Sequence, residues 1–246
     1  MPKTLITGAA SGIGRAVAEL FASKDHELVL VDIAELDSIL PGQPKVARLS
    51  GDVSDESFWT QSEPQLAGLT HAVVNAGVSS SGLIRELELS EWRRVMKVNL
   101  DGAFLTLRAV MRAMAASSGS RAIVLTASIA GTKPEPGVAA YGCSKAAVIQ
   151  LARVAAKEVA AEGIRVNAIA PGGVDTPIWD EMPFFADLVA SEGSREAAMV
   201  ALAKMATPLG RYAAAEEIAS QIAFLLSDEA ATITGAVLTS DGGYSL

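Results

Sequence analysis

The sequence predicts a single α/β domain built on a parallel sheet, and three observations carry that prediction. Short apolar runs alternate with longer stretches of helical periodicity along the chain. A glycine-rich turn joins the first apolar run to the first helical stretch. No linker, repeat or low-complexity tract divides the 246 residues, a length that suits one large domain.

Strands are expected at Lys3–Thr7, 27–31, 45–49, 70–75, 121–127, 165–170 and 236–240, each flanked by Gly, Asp, Asn or Pro. Helices are expected at Gly12–Ser23, 55–66, 91–116, 138–162, 195–204 and Ala215–Leu226. Ser90 and Asp55 offer side-chain oxygens to the free amides of two helix starts, and Gly163 can close the long helix in the left-handed conformation. Strands alternating with helices imply parallel pairing through right-handed crossovers, and strands buried on both faces should be apolar throughout, as Val73-Val74 and Ala122-Ile123-Val124-Leu125 are. The segment 172–195 reads as irregular, and with the helix after it (about 172–206) as a lid over a substrate site. The connection after Asp32 carries Pro41, Gly42 and Pro44, so a helix there should be truncated.

Composition excludes several classes. Half the residues are hydrophobic, yet no run approaches the ~18 apolar residues of a membrane helix. The first residues lack the apolar segment of a secretory signal, so a cytoplasmic enzyme is expected. A net charge of −8 argues against a nucleic-acid surface. Arg93, Arg94 and Lys97 read as a solvated helix face, with docking of an acidic carrier protein as the alternative. Cys143 is the single cysteine, so no internal disulfide forms, and it reads as a small residue against the core. His26 and His71 read as separate surface or strand-end residues, and no metal-ligand spacing is present.

The motifs carry chemistry. Thr7-Gly8-Ala9-Ala10-Ser11-Gly12-Ile13-Gly14 places glycines where a chain must turn tightly and approach a phosphate, ahead of helix amides that attract an anion. Asp32, at the end of the second strand, can accept hydrogen bonds from an adenosine ribose and repel a 2′-phosphate. Ser11 and Ile33 put no cation near that phosphate, which favours NAD over NADP; Arg15 is the one long cation able to swing toward it. Tyr141 and Lys145 stand four residues apart, on one face of a helix, with Ser128 upstream. The ammonium should lower the phenol from its usual value of about 10 and fit it for proton transfer.

These residues, together with Asn75-Ala76-Gly77, Asn99 and Pro171-Gly172, occur in an order that resembles the short-chain dehydrogenase/reductases over essentially the whole chain. The resemblance implies a Rossmann-type, doubly wound sheet of seven parallel strands in the order 3-2-1-4-5-6-7. It implies that Tyr141 is the acid/base, that Lys145 holds the nicotinamide ribose, that Ser128 binds the substrate oxygen and that Asn99 helps hold a relay water. Asp52 and Val53 match the pair that contacts adenine. Asn75, Ala76 and Gly77 would line the adenosine side, and Val174 and Thr176, after Pro171 and Gly172, would meet the nicotinamide carboxamide. A homotetramer is implied as well.

The lid residues Ile178, Trp179, Met182, Pro183, Phe184, Phe185 and Leu188 either line an apolar pocket or pack on their own domain. Asp175, Asp180, Glu181 and Asp187 lie among them, while Arg195 and Lys204 come later. A neutral, moderately hydrophobic secondary alcohol or ketone is the expected substrate, with Ser79–Gly82 and 132–137 on the pocket rim. An NADP-linked 3-oxoacyl-carrier-protein-type reductase is the alternative within the class, and a non-catalytic dinucleotide sensor the alternative outside it.

Overall fold

Successive strand residues point to opposite faces of a sheet, so strands that are apolar throughout feed two cores. The computed structural model describes the backbone of all 246 residues and every side chain except those of Glu181 and Pro183, so the lid reading of those two side chains lies outside the described residues. In chain order its first elements are β1 (Lys3–Thr7), α1 (Gly12–Ser23), β2 (Glu27–Asp32), β3 (Val46–Ser50), α2 (Glu56–Ser62), β4 (His71–Val74), α3 (Leu89–Met96), α4 (Gly102–Ala115) and β5 (Arg121–Thr126). There follow α5 (Ala139–Val159), β6 (Ile164–Pro171), β7 (Val174–Asp175), α6 (Pro183–Glu192), α7 (Arg195–Ala206), β8 (Ala213–Ala214), α8 (Ala215–Leu226) and β9 (Val237–Ser240).

The main sheet has the order β3-β2-β1-β4-β5-β6-β9, parallel throughout, as expected. Leu5, Val29, Val31, Ile123 and Leu125 face a core built with α2, α4 and α5. Ile6, Leu28, Leu30, Val73 and Val124 face a second core, covered by α1 and α8. The strand order reverses between β1 and β4, which opens a crevice at the carboxyl ends of the strands. No helix among the described residues is long and apolar enough to cross a membrane.

Several local expectations change. The helix expected over 55–66 stops at Ser62, and a 3-10 turn, Glu63–Leu66, follows because Pro64 has no amide to continue the α pattern. Asp55 caps its start, accepting from the Ser57 amide at 2.8 Å. The helix expected over 91–116 begins two residues earlier, with Glu88 rather than Ser90 at its cap, and a π-helical turn at Lys97–Asp101 separates α3 from α4. The long helix ends at Val159 in a 3-10 turn closed by Gly163 at φ +73°. No helix forms between β2 and β3; the Arg48 guanidinium instead binds the carbonyls of Leu36, Ile39, Leu40 and Val46.

The segment 172–195 is not irregular. It holds β7, a 3-10 turn at Pro177–Glu181 and α6, and β7 pairs with β8 in a small second sheet. Pro177 and Pro183 occupy helix first turns, where a missing amide costs nothing, and Gly193 closes α6 at φ +84°. Residues that read as loop composition are helix boundaries.

Two side-chain readings, covering three residues, are corrected. Cys143 is exposed, not buried. His26 and His71 are not separate: parallel pairing sets His71 beside Thr4, whose hydroxyl meets His26 Nδ1 at 2.9 Å, and the two rings lie 6.1 Å apart. His71 is buried, and that burial, followed by the charge of His26, pushes it down to about 4.

Candidate active site

The crevice gathers the predicted residues from the ends of β1, β2, β4, β5 and β6. After β1, Gly14 is required by space, since a Cβ there would lie 2.0 Å from the Gly8 carbonyl oxygen. Ser11 stands at the N-cap of α1 in extended geometry, yet its hydroxyl caps nothing, which leaves the leading amides of the helix for an anion. Ile13 packs against the α1/α8 core. Asp32 binds across the crevice, its carboxylate accepting from the Ala10 and Ala34 amides at 2.9 Å each, while Ile33 stands exposed beside it. Arg15 is turned along its own helix, pairing with Glu19 at 2.8 Å.

The Thr7 hydroxyl accepts from the amides of Asn75 and Ala76 at 2.9 and 3.1 Å, and the Asn75 amide group donates to the Thr7 carbonyl. The turn after β1 and the end of β4 are thereby locked together. Asp52 accepts from the amide and hydroxyl of Ser54 and lies 3.6 Å from Lys97. Burial raises its carboxyl, but those partners outweigh it and hold the group below its ordinary value. Val53 is buried against Gly102, and its carbonyl accepts from the Trp59 indole.

Two of the catalytic candidates meet next to Gly77, where a Cβ would stand 3.2 Å from Asn99 Oδ1 and 3.3 Å from Lys145 Nζ. Asn99, buried in the π turn, accepts from the Val78 amide at 2.8 Å and donates to the Val78 carbonyl and the Ser144 hydroxyl. Lys145 is buried, donates to the Thr126 carbonyl at 2.9 Å and is pushed by that burial down to about 8. Ser128 follows β5 in extended backbone, its hydroxyl oxygen accepting from the Ala130 amide at 3.2 Å.

The phenol of Tyr141 departs from expectation. Burial raises it above its ordinary value, and hydrogen bonding with the Ser128 side chain offsets part of that rise. The Lys145 ammonium lies 5.7 Å from the ring centroid and is committed to Thr126, so desolvation prevails over the cation that the four-residue spacing brings near.

Pro171 ends β6, and the Gly172 amide donates to the Ser240 carbonyl. Val174 is buried and its carbonyl accepts from the Trp179 indole at 2.7 Å. The Thr176 methyl reaches the glycine turn, 3.2 Å from where a Gly12 Cβ would stand. The lid then closes on a small core of its own, Phe185, Ala198 and Met199, against which Trp179, Met182 and Leu188 pack. Trp179 stacks on Tyr212 at 5.4 Å. Arg195 folds back to Asp175 at 2.7 Å, Asp180 at 2.9 Å and the Thr176 carbonyl at 3.0 Å, so part of the lid's acidity is neutralised. Of the two uses open to the lid's apolar residues, self-packing claims Phe185, whereas Phe184 remains exposed.

A family model described as enoyl-(acyl carrier protein) reductase matches residues 8–245. The chain belongs to the short-chain dehydrogenase/reductase family. Among its relatives, the cis-4-hydroxycyclohexanecarboxylate dehydrogenase of Sinomonas cyclohexanicum is 37% identical over 98% of this chain and 95% of its own. The 3-oxoacyl-[acyl-carrier-protein] reductase of Thermotoga maritima is 35% identical over 97% of this chain and 96% of its own. Among solved structures, the aldohexose dehydrogenase of Thermoplasma acidophilum superposes with a TM-score of 0.87 at 30% identity, covering 99% of this chain and 94% of that one. Levodione reductase superposes at 0.85 and 32%, covering 99% and 97%. Short-chain dehydrogenase/reductases are oxidoreductases that use nicotinamide cofactors, and the relatives include dehydrogenases named for alcohols as well as carrier-protein-linked reductases.

Two contributors to this arrangement were not singled out from the sequence. Ser144 donates to the Tyr141 carbonyl at 2.7 Å and accepts from Asn99, joining the π turn to α5; its place beside Lys145 was a signal. Thr126 acts through its carbonyl, which any residue supplies, so no sequence signal exists for it.

Proposed function

We propose that this short-chain dehydrogenase/reductase is an NAD-dependent alcohol dehydrogenase or ketone reductase for neutral, moderately hydrophobic secondary alcohols and ketones. The observation that carries the proposal is the meeting of Ser128, Tyr141, Lys145 and Asn99 at the strand ends, next to an uncapped helix start. The residues proposed to hold the cofactor are Gly8, Ser11, Gly12, Ile13 and Gly14 at the phosphates, Asp32, Ile33, Asp52, Val53, Asn75, Ala76 and Gly77 on the adenosine side, and Tyr141, Lys145, Pro171, Gly172, Val174 and Thr176 toward the nicotinamide. The bound nicotinamide supplies the site that gives or takes hydride.

The protein's own task is one proton on the substrate oxygen. The Tyr141 hydroxyl donates it during ketone reduction and recovers it during alcohol oxidation, while the Ser128 hydroxyl stabilises the charge that develops on that oxygen. A phenol at its ordinary value of about 10 is already protonated near neutrality, as the donor role requires, and burial raises it further. Asn99, fixed by Val78 and Ser144, holds the relay position behind Lys145.

NAD rather than NADP is supported by the Asp32 carboxylate at the end of β2 and by Arg15 being engaged with Glu19. The carrier-protein reductases among the relatives favour a second reading, an NADP-linked 3-oxoacyl-thioester reductase. Initial rates with NADH and NADPH on cyclohexanone and a 3-oxoacyl thioester, and with the oxidised cofactors on cyclohexanol and cis-4-hydroxycyclohexanecarboxylate, separate the two. We expect cyclohexanone reduction at least about tenfold faster with NADH, the discrimination that loss or gain of one charged contact gives. Faster turnover of the thioester with NADPH establishes the second reading instead.

A further inference from the structure

The span 132–138 joins Ser128 to Tyr141 and is secured little by its own backbone. Pro134 and Pro136 have no amide to donate. The span is pinned near its start, where the Thr132 and Lys133 amides donate to Ile129, and at its end, where the Gly82 amide donates to the Gly137 carbonyl. Its middle is held by the C-terminal tail.

Tyr244 donates its hydroxyl to Glu135 Oε1 at 2.6 Å. Lys133 Nζ pairs with the same oxygen at 2.8 Å and lies 3.5 Å above the Tyr244 ring. Carboxylate, ammonium and aromatic ring thus satisfy one another in a closed set. The tail is shaped for this, since the Asp241 carboxylate accepts from the Gly243 and Ser245 amides and its carbonyl accepts from the Tyr244 amide. The same tail grips the turn that ends the lid: the Leu209 amide donates to the Gly242 carbonyl, and Gly243 packs against Pro208. One strap therefore touches both the 132–138 span, which lies between Ser128 and Tyr141 in the chain, and the turn that follows α7.

We propose that Tyr244 is a positioning residue for the substrate wall: through Glu135 and Lys133 it fixes the 132–138 span relative to the lid and so sets the room above Ser128 and Tyr141. The inference rests on the reading of those two residues as the reacting pair. Substrate fit then depends on the strap, whereas proton transfer and cofactor binding do not.

Hydrogen–deuterium exchange on the full chain, with Tyr244→Phe and Glu135→Gln beside the unaltered protein, tests the strap without reference to any substrate. Exchange of the 132–138 amides should quicken by about tenfold in both variants, the cost of one charge-assisted hydrogen bond, with α5 unchanged. With cyclohexanone and NADH, KM should rise by about fivefold while kcat stays within about twofold and NADH binding, read by fluorescence, does not move. Unchanged exchange in both variants overturns the proposal, as does a fall in kcat and NADH binding with KM unmoved. If the unaltered protein reduces no ketone, the functional reading falls and the exchange result alone decides the strap.

Discussion

The catalytic edge and the lid adjoin one another at Thr176 and Gly12, yet opposite means hold them. At the edge three polar side chains are tied to the backbone of a strand or its extension: Asn75 to Thr7, Asn99 to Val78, Lys145 to Thr126. The lid rests on a miniature aromatic core and on Arg195 bridging two carboxylates that are about half exposed. Backbone anchors in a buried setting fix geometry closely, while exposed ion pairs contribute little each and weaken with salt. On the proposed function, chemistry belongs to the sheet and substrate choice to a unit that can be altered without disturbing it.

Replacing Tyr141 should break the comparison most sharply. Tyr141→Phe keeps the ring in place and removes the proton donor, so kcat should fall by about 10²–10⁴-fold with NADH binding intact. Undiminished turnover would remove the edge from the mechanism.

Lys145→Met should show that the edge is tuned against stability. Burial takes Lys145 from 10.5 to about 8. The unfolded chain therefore binds more protons across that window, and folding stability rises with pH through it. Below it, the buried ammonium costs about 3 kcal/mol, and the lost bond to Thr126 returns about 1 kcal/mol of that on substitution. Chemical denaturation at pH 7 should find the variant inactive but more stable, with the gain shrinking as pH approaches 10.5. A less stable variant at pH 7 would mean that the lysine is a structural strut.

The smallest effect should come from the lid. Arg195→Ala should lower stability by about 1 kcal/mol or less and raise KM modestly. Sodium chloride should move the unaltered protein toward the variant and leave the variant flat. A collapse of kcat would join lid and edge into one unit.

What the sequence disclosed follows the same division. The strands were legible because apolar runs and strand-end residues are local patterns, while their order in the sheet came from the family resemblance. The lid was not, because Pro177, Pro183 and Gly193 have loop composition whether they break a helix or bound one. The rise in the Tyr141 phenol depends on burial, which spacing does not report. The meeting of His26 with His71 depends on strand pairing, and the exposure of Cys143 on which face of an alanine-rich helix turns outward.

The π turn at Lys97–Asp101 makes the enzyme sensitive to counting as well as to chemistry. Such a turn accommodates one residue more than a regular helix. Each residue of an α-helix carries a rotation of about 100° and a rise of about 1.5 Å, so a chain one codon shorter here could still wind a smooth helix. That helix would swing either Asn99 away from Val78 or Leu107 and Val110 away from the core. Indels at this spot should be purged from descendants even where every surviving letter is unchanged.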